Sequence, residues 1–202
     1  MEFTDAVRAR RMVRSFDPER GVDRDTLRIM LNLAIRAPSA GHTQGWRFLV
    51  LDDITSRDLF WSSTSDGPLD AWRQRMGSAP VLVVCYCDPE AYLDRYAEPD
   101  KGWRDRSLER WPIPYWHVDV GMAAMTLLLS AVDLGLGACF FGVPAERWPS
   151  LAAAFGMPER LQPVGVVALG HPAPDDRSRP LTRRGRRPFE EVVQFGGQPP
   201  PD

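Results

Sequence analysis

Lysine, cysteine and histidine are scarce in this chain of 202 residues, and each scarcity excludes a kind of site. Lys101 is the only lysine, and it does not follow a glycine-rich loop, so a phosphate-binding site of the Walker A type is excluded. The three cysteines form neither a disulfide framework nor a CxxC metal motif, and the three histidines are scattered. We therefore expect no metal site, and small buried cysteines in a reducing cytoplasm.

A signal peptide and a membrane span are also missing from the pattern. The first residues, MEFTDAVRARR, have no apolar segment after their charges. The most apolar run, residues 122–132, lies between Asp119 and Asp133, which is shorter than the ~20 residues that span a bilayer. The formal net charge of −2 gives no general attraction to nucleic acid or to anionic lipid. We expect a cytoplasmic protein that binds neither nucleic acid nor membrane, with residues 118–134 as a buried helix.

The hydrophobic pattern alternates between helical and strand-like spacing along the chain. Helices are predicted near residues 3–10, from Asp23 to just before Pro38, near 56–61, up to Met76, at 118–134 and at 147–155. Strands are predicted at 47–51, 81–86, 138–143 and 164–169. Residues 88–114, rich in polar, aromatic and proline residues, are predicted to lack a regular element. This order predicts α/β or α+β layers with helices on both faces of a sheet.

The common catalytic signatures are absent. Gly135 and Gly137 begin a glycine pattern, but Phe140 stands where a dinucleotide fingerprint needs its third glycine. Neither G-x-S-x-G nor H-E-x-x-H occurs. A pair of Cys139 and His117 could act as nucleophile and base, but Cys139 lies in an apolar strand with no orienting acid nearby. Arginines remain as the candidate binding groups.

Two groups of arginines lie near opposite ends of the chain. The first group is Arg10, Arg11 and Arg14, and the second is Arg183, Arg184, Arg186 and Arg187. A guanidinium matches the geometry of a phosphate, and each charge-assisted hydrogen bond contributes roughly 1.5–3 kcal/mol. If the fold brings the groups together, they form a site for a dianion; otherwise they are solvated surface charge. Composition and spacing leave both alternatives open.

Several motifs in order resemble the nitroreductase family. RRMVRSFD and APSAGHTQGWRF are similar to its R-R-S-x-R-x-F and A-P-S-x-x-N-x-Q-P-W, and GLGAC, a strand that ends in Phe141 and Gly142, and RRPFEEV follow. The resemblance covers most of the chain apart from residues 88–114. It implies a single domain, residues 1–202, with an α+β, three-layer α/β/α fold around a mixed, mostly antiparallel sheet. It also implies a homodimer with the long buried helix at its interface.

The resemblance further implies a site for FMN that two subunits share. Arg10 and Arg186 would bind the phosphate, helped by Arg184, with Arg11 and Met12 beside them. Arg14 would lie by the pyrimidine edge of the flavin, where a fixed cation stabilises the reduced form. Phe141 and Gly142 would approach the flavin from the same subunit, because a residue without Cβ lets the backbone come close. The partner subunit would cover the ring with Pro38, Ser39, Ala40, His42 and Gln44.

Two residues depart from the family pattern. Met12 replaces a serine whose hydroxyl touches the flavin phosphate, and His42 replaces an asparagine. Loss of one neutral hydrogen bond costs roughly 0.5–1.5 kcal/mol, about tenfold in affinity at most, so the arginines can still carry the phosphate.

The implied activity is transfer of hydride from NADPH or NADH through FMN to a small electrophile such as a nitroaromatic or a quinone. One shared cleft implies ping-pong kinetics, and no side chain is nominated as a catalytic acid or base. Alternatives within the same fold are dehalogenation, flavin breakdown and dehydrogenation, and a further alternative is a flavin-binding sensor or store without turnover.

The aromatic segment at about 88–116 has two interpretations. As a lid, its rings would stack on a planar acceptor, and the candidates are Tyr96, Trp103, Trp111 and Tyr115. As packing, they would anchor a long insertion. Residues from about 172 to 202 are expected to form an extended C-terminal arm.

Overall fold

The computed structural model describes residues 1–65, 70–176 and 185–196. Its helices are α1 (Phe3–Ala9), α2 (Arg24–Ala34), α3 (Ile54–Thr64), α4 (Ala71–Met76), α5 (Pro89–Ala97), α6 (Tyr115–Asp133), α7 (Trp148–Phe155) and α8 (Phe189–Val192). Its strands are β1 (Trp46–Leu51), β2 (Val81–Cys87), β3 (Gly137–Phe141) and β4 (Gln162–Gly170). Short 3₁₀ turns lie at Ala40–His42, Leu108–Arg110 and Ala145–Arg147.

The four strands form one sheet in the order β1-β2-β4-β3, and every neighbouring pair is antiparallel. β1 and β3 are therefore the edge strands. At the β3 edge, Met12 forms an isolated parallel bridge with Ala138. Within the described residues, parallel pairing is confined to this bridge, and the predicted α+β class is confirmed.

The central strand β2 separates two apolar cores. Its odd-numbered residues Val81, Val83, Cys85 and Cys87 pack with residues of α2, α5 and α6. Its even-numbered residues Leu82, Val84 and Tyr86 pack with residues of α3, α4 and α7. Since alternate residues of a strand point to opposite faces, an entirely apolar strand is what two covered faces require. The three-layer α/β/α arrangement is confirmed, and Cys85 and Cys87 face the same core.

The long helix α6 begins at Tyr115, one turn earlier than predicted, directly after Pro114. Ala123, Leu127 and Ala131 are among its buried residues, which pack in the core between the sheet and α2. Among the described residues, α6 is the one helix long and apolar enough to cross a membrane, and half of its apolar 18-residue window is buried inside the fold.

The expectation that residues 88–114 lack a regular element is wrong, because α5 occupies Pro89–Ala97. A proline is compatible with the first turn of a helix, where its missing N–H breaks no hydrogen bond. Tyr92, Leu93 and Tyr96 then follow at helical spacing against the core. The polar residues between them concealed this short apolar face. The other predicted elements are present with ends shifted by a few residues, and Asp23 caps α2 by accepting from Thr26 N–H at 2.8 Å.

Candidate functional site

The first arginine group lies along the edge of the sheet. Val13 N–H donates to Ala138 O at 2.9 Å, beside the parallel bridge between Met12 and Ala138. Because this pairing is parallel, the chain advances from Met12 to Arg14 in the same direction as β3 advances towards Phe141. The arginine segment and the end of β3 are thereby brought together, as the prediction of one flavin site requires.

The three N-terminal arginines differ in what they contact. Arg11 forms an ion pair with Asp176, whose carboxylate is 2% exposed, at the start of the predicted C-terminal arm. Arg14 Nη1 donates to Met12 O at 3.3 Å, which orients its guanidinium along the segment. Arg10 and Arg14 are each partly exposed. Arg11 therefore fastens the segment to Asp176, while Arg10 and Arg14 keep surface that can face a ligand.

Met12 uses its side chain for packing. The side chain touches both apolar cores, and its Sδ accepts from Phe140 N–H at 3.4 Å. A thioether is flexible and fills irregular apolar space. Met12 thus joins the N-terminal segment to β3. That it also contacts a phosphate, as the family's serine does, stays a prediction.

A cavity of about 380 Å³ opens where β3 ends. Its aromatic wall consists of Phe60, Trp61, Trp72 and Phe141. The rings of Trp61 and Phe141 are parallel within 7° with centroids 5.7 Å apart, and Trp72 meets Phe141 edge-on at 5.2 Å. Charged residues of both signs also line the cavity: Asp70, Arg73, Glu146 and Arg147.

The two tryptophans of this wall were not predicted as site residues. Trp61 lies in α3 and Trp72 in α4, and both helices also carry core residues. No local pattern separates a helical residue that faces a cavity from one that faces the core, so the sequence held no signal for them.

Gly142 lines the cavity directly after Phe141. A Cβ at this position would meet no other atom within 4 Å, and the backbone is not left-handed there. Within the described residues, neither packing nor conformation requires a glycine. The open space beside the backbone fits the predicted close approach of a flat ring.

The loop between α2 and β1 has an unusual backbone. Gly41, His42 and Gln44 have φ values of 62°, 55° and 55°, in the left-handed region. For the two residues with a Cβ, this conformation costs of order 1–3 kcal/mol each and persists only when neighbouring groups impose it. Pro38, His42 and Gln44 are exposed. Three of the five residues predicted to cover a flavin are therefore exposed, whereas Ser39 and Ala40 are partly buried.

The buried carboxylate of Asp119 attaches this loop to α6. Asp119 in α6 is 1% exposed, and its Oδ2 accepts from Ala40 N–H at 2.8 Å and from Tyr92 O–H at 2.7 Å. Burial and the neighbouring carboxylate raise the pKa of the Tyr92 hydroxyl, which therefore remains a donor. Arg95 Nε also donates to Gly41 O at 2.9 Å. Sequence reasoning missed Asp119, Tyr92 and Arg95, because their partners in the loop are distant along the chain.

The predicted flavin contacts fall into two groups within one chain. The loop leads into Trp46 of β1 at one edge of the sheet, whereas the arginine segment and Phe141 lie at the β3 edge. β2 and β4 separate the two edges. The loop and the arginine segment of one chain therefore lie at opposite edges of the sheet, and a role of the loop towards a partner subunit stays a prediction.

The rings of the predicted lid pack against one another. Trp111 is 8% exposed and lies at their centre, with its centroid 4.6 Å from that of Tyr96, 5.4 Å from Trp103 and 6.2 Å from Tyr115. Tyr115 is the most open of the four, at 43% exposure. Within one chain these rings support the packing interpretation, and their role towards an acceptor stays a prediction.

The C-terminal arginines are described only in part. Arg186 lies in the described segment 185–196, where it is exposed, and Arg184 lies outside the described residues. That Arg184 and Arg186 bind the same phosphate as Arg10 stays a prediction.

The cysteines are unsuited to nucleophilic chemistry. Cys85, Cys87 and Cys139 are free and buried. Burial raises the pKa of Cys85 and of Cys87 to about 12, and it also raises the pKa of Cys139. A thiolate is therefore disfavoured at neutral pH.

Comparison with known proteins assigns the family. The chain matches the sequence model of the Nitroreductase family over residues 7–171. It is 30% identical over 183 residues to a protein of Methanothermobacter thermautotrophicus provisionally named NADH dehydrogenase/NAD(P)H nitroreductase, covering 90% of this chain and 83% of that one. It is also 30% identical to an NADH dehydrogenase of Thermus thermophilus, covering 91% of each. A Desulfovibrio desulfuricans protein, provisionally named a nitroreductase and solved in complex with FMN, superposes with a TM-score of 0.72 at 27% identity, covering 98% of this chain and 99% of that one. The chain belongs to the nitroreductase family.

Proposed function

We propose that the protein is an FMN-dependent oxidoreductase that passes hydride from NADPH or NADH to a small electrophilic acceptor. The observation that carries this proposal is the junction of the arginine segment with the end of β3, where Gly142 leaves open space beside a cavity. Relatives named for NAD(P)H and NADH oxidation, and a related structure that contains FMN, support the cofactor and the electron donors.

The residues at this junction suit a phosphorylated flavin. Arg10, with Arg186, would bind the phosphate, and Arg14 would lie at the edge of the ring where negative charge develops on reduction. Phe141 and Gly142 would face the ring from the same chain. FMN, when bound, supplies the transfer of hydride, and the side chains bind it, orient it and stabilise its reduced charge.

The cavity at the end of β3 favours a planar acceptor. Aromatic rings stack on other aromatic rings, and the parallel pair Trp61 and Phe141, with Trp72 at its edge, provides such a surface. A volume of about 380 Å³ lies within the usual range of small-molecule sites. We infer that nitroaromatics and quinones are suitable acceptors. Donor and acceptor would occupy the same cleft in turn, which gives ping-pong kinetics.

We propose that the active form is a homodimer with α6 at its interface. Tyr115, Val118, Met122 and Met125 are exposed on this helix, at 43%, 42%, 37% and 40%, and they are spaced by three and four residues. Such spacing forms one apolar seam along a helix, which favours another helix as its partner. The loop at residues 38–44 is attached to the same helix, because Asp119 of α6 accepts from Ala40 N–H. Buried free cysteines agree with a cytoplasmic location.

The spectrum of the purified protein tests the proposal. Bound FMN absorbs near ~450 nm, and anaerobic addition of NADPH or NADH should bleach this band within the time of one turnover. Addition of a quinone or a nitroaromatic should restore it, and steady-state rates should give parallel double-reciprocal lines. A colourless protein that does not take up added FMN would refute the cofactor. A yellow protein that neither nucleotide bleaches would refute the activity.

A further inference from the structure

Asp119 is a buried charge that its own helix does not explain. It is 1% exposed, and its donors are a backbone N–H and a hydroxyl, whereas the similarly buried carboxylate of Asp176 pairs with a guanidinium, that of Arg11. A carboxylate without partners is strongly disfavoured in an apolar core, and an apolar side chain would pack α6 at least as well. Both donors to Asp119 Oδ2 come from outside α6: Ala40 N–H at 2.8 Å and Tyr92 O–H at 2.7 Å. The carboxylate therefore joins three parts of the chain.

We propose that Asp119 is a positioning residue that holds residues 38–44 in the conformation that binds flavin. This proposal rests on the proposed function, because it assumes that the loop binds flavin. Asp119 does not touch the flavin in this scheme. It acts through the backbone of Ala40, two residues before the exposed His42.

The loop needs such an anchor because of its backbone. Gly41, His42 and Gln44 all lie in the left-handed region, which residues with a Cβ rarely adopt. The loop's own contacts include His42 N–H to Ser39 O at 2.9 Å and Gln44 N–H to Ser39 Oγ at 2.9 Å. These bonds shape the turn internally but do not attach it to the body of the fold. Asp119 supplies the attachment to α6 through Ala40.

Helix α5 completes the attachment on the other side. Arg95, held by two hydrogen bonds to Asp100 at 2.7 and 2.8 Å, donates through Nε to Gly41 O at 2.9 Å. The Tyr92 ring passes so close to Gly45 that a Cβ there would lie 2.4 Å from its Cε2. The hydroxyl of the same ring donates to Asp119. Asp119 thus joins Ala40 of the loop to Tyr92 of α5, and Arg95 attaches the loop to α5 directly.

These contacts fix the inner side of the loop and leave its outer side exposed to a ligand. Ala40 and Gly41 are bonded inward, whereas Pro38, His42 and Gln44 are exposed. If the attachment is lost, the loop populates other conformations, and the apparent affinity for flavin falls in proportion to the fraction that remains competent. A charge-assisted hydrogen bond is strong enough to change that fraction about tenfold.

The test compares Asp119→Asn and Tyr92→Phe with Ser130→Ala, all three as full-length protein. Asp119→Asn keeps the size of the side chain but removes the charge, and Tyr92→Phe keeps the ring but removes one donor. Ser130→Ala is the matched control, since it removes a buried hydroxyl that donates to Thr126 O at 2.8 Å in the same helix, away from the loop. We expect the dissociation constant for FMN to rise about tenfold in Asp119→Asn, by a smaller factor in Tyr92→Phe, and not in Ser130→Ala.

A measurement without flavin makes the test independent of activity. Hydrogen exchange of the amides in residues 38–45 of the flavin-free protein should accelerate in Asp119→Asn and in Tyr92→Phe but not in the control. Light scattering should show an unchanged oligomeric state. Unchanged exchange in this loop in both variants would overturn the proposal, and so would faster exchange with an unchanged FMN dissociation constant. If Asp119→Asn does not fold, Tyr92→Phe decides by the same two measurements. A wild-type protein that binds no FMN would overturn the proposed function, and with it the flavin role of the loop.

Discussion

Replacement of Gly142 by alanine separates the stability of the fold from the affinity for flavin. The added Cβ would meet no atom of the chain within 4 Å, and the backbone at Gly142 is not left-handed. Replacement of glycine by alanine at such a position stabilises a protein by about 0.4–1 kcal/mol, because the unfolded chain loses conformational freedom. The flavin-free variant should therefore unfold at the same or a slightly higher urea concentration than the wild type.

The same Cβ should weaken FMN binding. It would occupy the open space beside Phe141 into which the ring is proposed to fit, and an extra methyl group in a packed contact costs about 1–3 kcal/mol. The dissociation constant for FMN should therefore rise about tenfold or more. Titration of flavin-free protein by quenching of FMN fluorescence measures this change, and urea unfolding of the same samples measures stability.

Gly21→Ala provides the control for this prediction. Gly21 also has no atom within 4 Å of the added Cβ and no left-handed backbone, but it lies in the exposed segment before α2. This variant should gain the same small stability and bind FMN as the wild type does. If Gly142→Ala binds FMN with unchanged affinity, Gly142 does not face the flavin and the assignment of the site is wrong. If Gly142→Ala unfolds at a clearly lower urea concentration than the wild type, the inference that open space surrounds this position is wrong.

Three other predictions address the ring edge, the seam and the core. Arg14→Gln should lower the flavin midpoint potential by about 30 mV, because one charge-assisted contact of about 1.4 kcal/mol to the reduced ring is lost; an unchanged potential in a spectroelectrochemical titration would exclude this placement. Met125→Asp should shift the protein from dimer to monomer in sedimentation, because Met125 is 40% exposed in the apolar seam of α6; a dimer that persists at low protein concentration would place the interface elsewhere. Burial raises the pKa of the Cys85 and Cys87 thiols from 9.0 to about 12, so the unfolded chain releases these protons first. Stability should hold below about pH 9 and then fall by about 1.4 kcal/mol per pH unit for each thiol, which urea unfolding between pH 7 and 10.5 measures, and Cys85→Ala should reduce the slope.

Features carried by local spacing could be predicted from the sequence. The start of α2 follows from Asp23, whose carboxylate satisfies a free N–H of the first turn. The burial of β2 on both faces follows from its unbroken apolar run. The order of short motifs around Arg10, Pro38 and Gly142 was sufficient for the family, because the family fixes their spacing.

Features that depend on distant contacts could not be predicted. Asp119 looks like a boundary of an apolar run in the sequence, yet it bonds Ala40, 79 residues away, and Tyr92, 27 residues away. The cavity next to Gly142 depends on Trp61 and Trp72, which reach it from helices earlier in the chain. Spacing along the chain does not predict contacts between distant residues, because the packing of whole helices and strands determines them.

The aromatic segment at about 88–116 was interpreted either as a lid or as packing, and its contacts connect these two interpretations. Trp111 packs at the centre of the cluster, with its ring centroid 5.9 Å from that of Tyr92. Tyr92 in turn bonds Asp119, which bonds the backbone of Ala40. The rings therefore act on the loop through the buried carboxylate whether or not any of them also touches an acceptor. If the proposed flavin site is right, a change at Trp111 should also alter flavin binding through the loop. An altered choice of acceptor in such a variant is therefore assigned to a lid only after flavin binding has been measured.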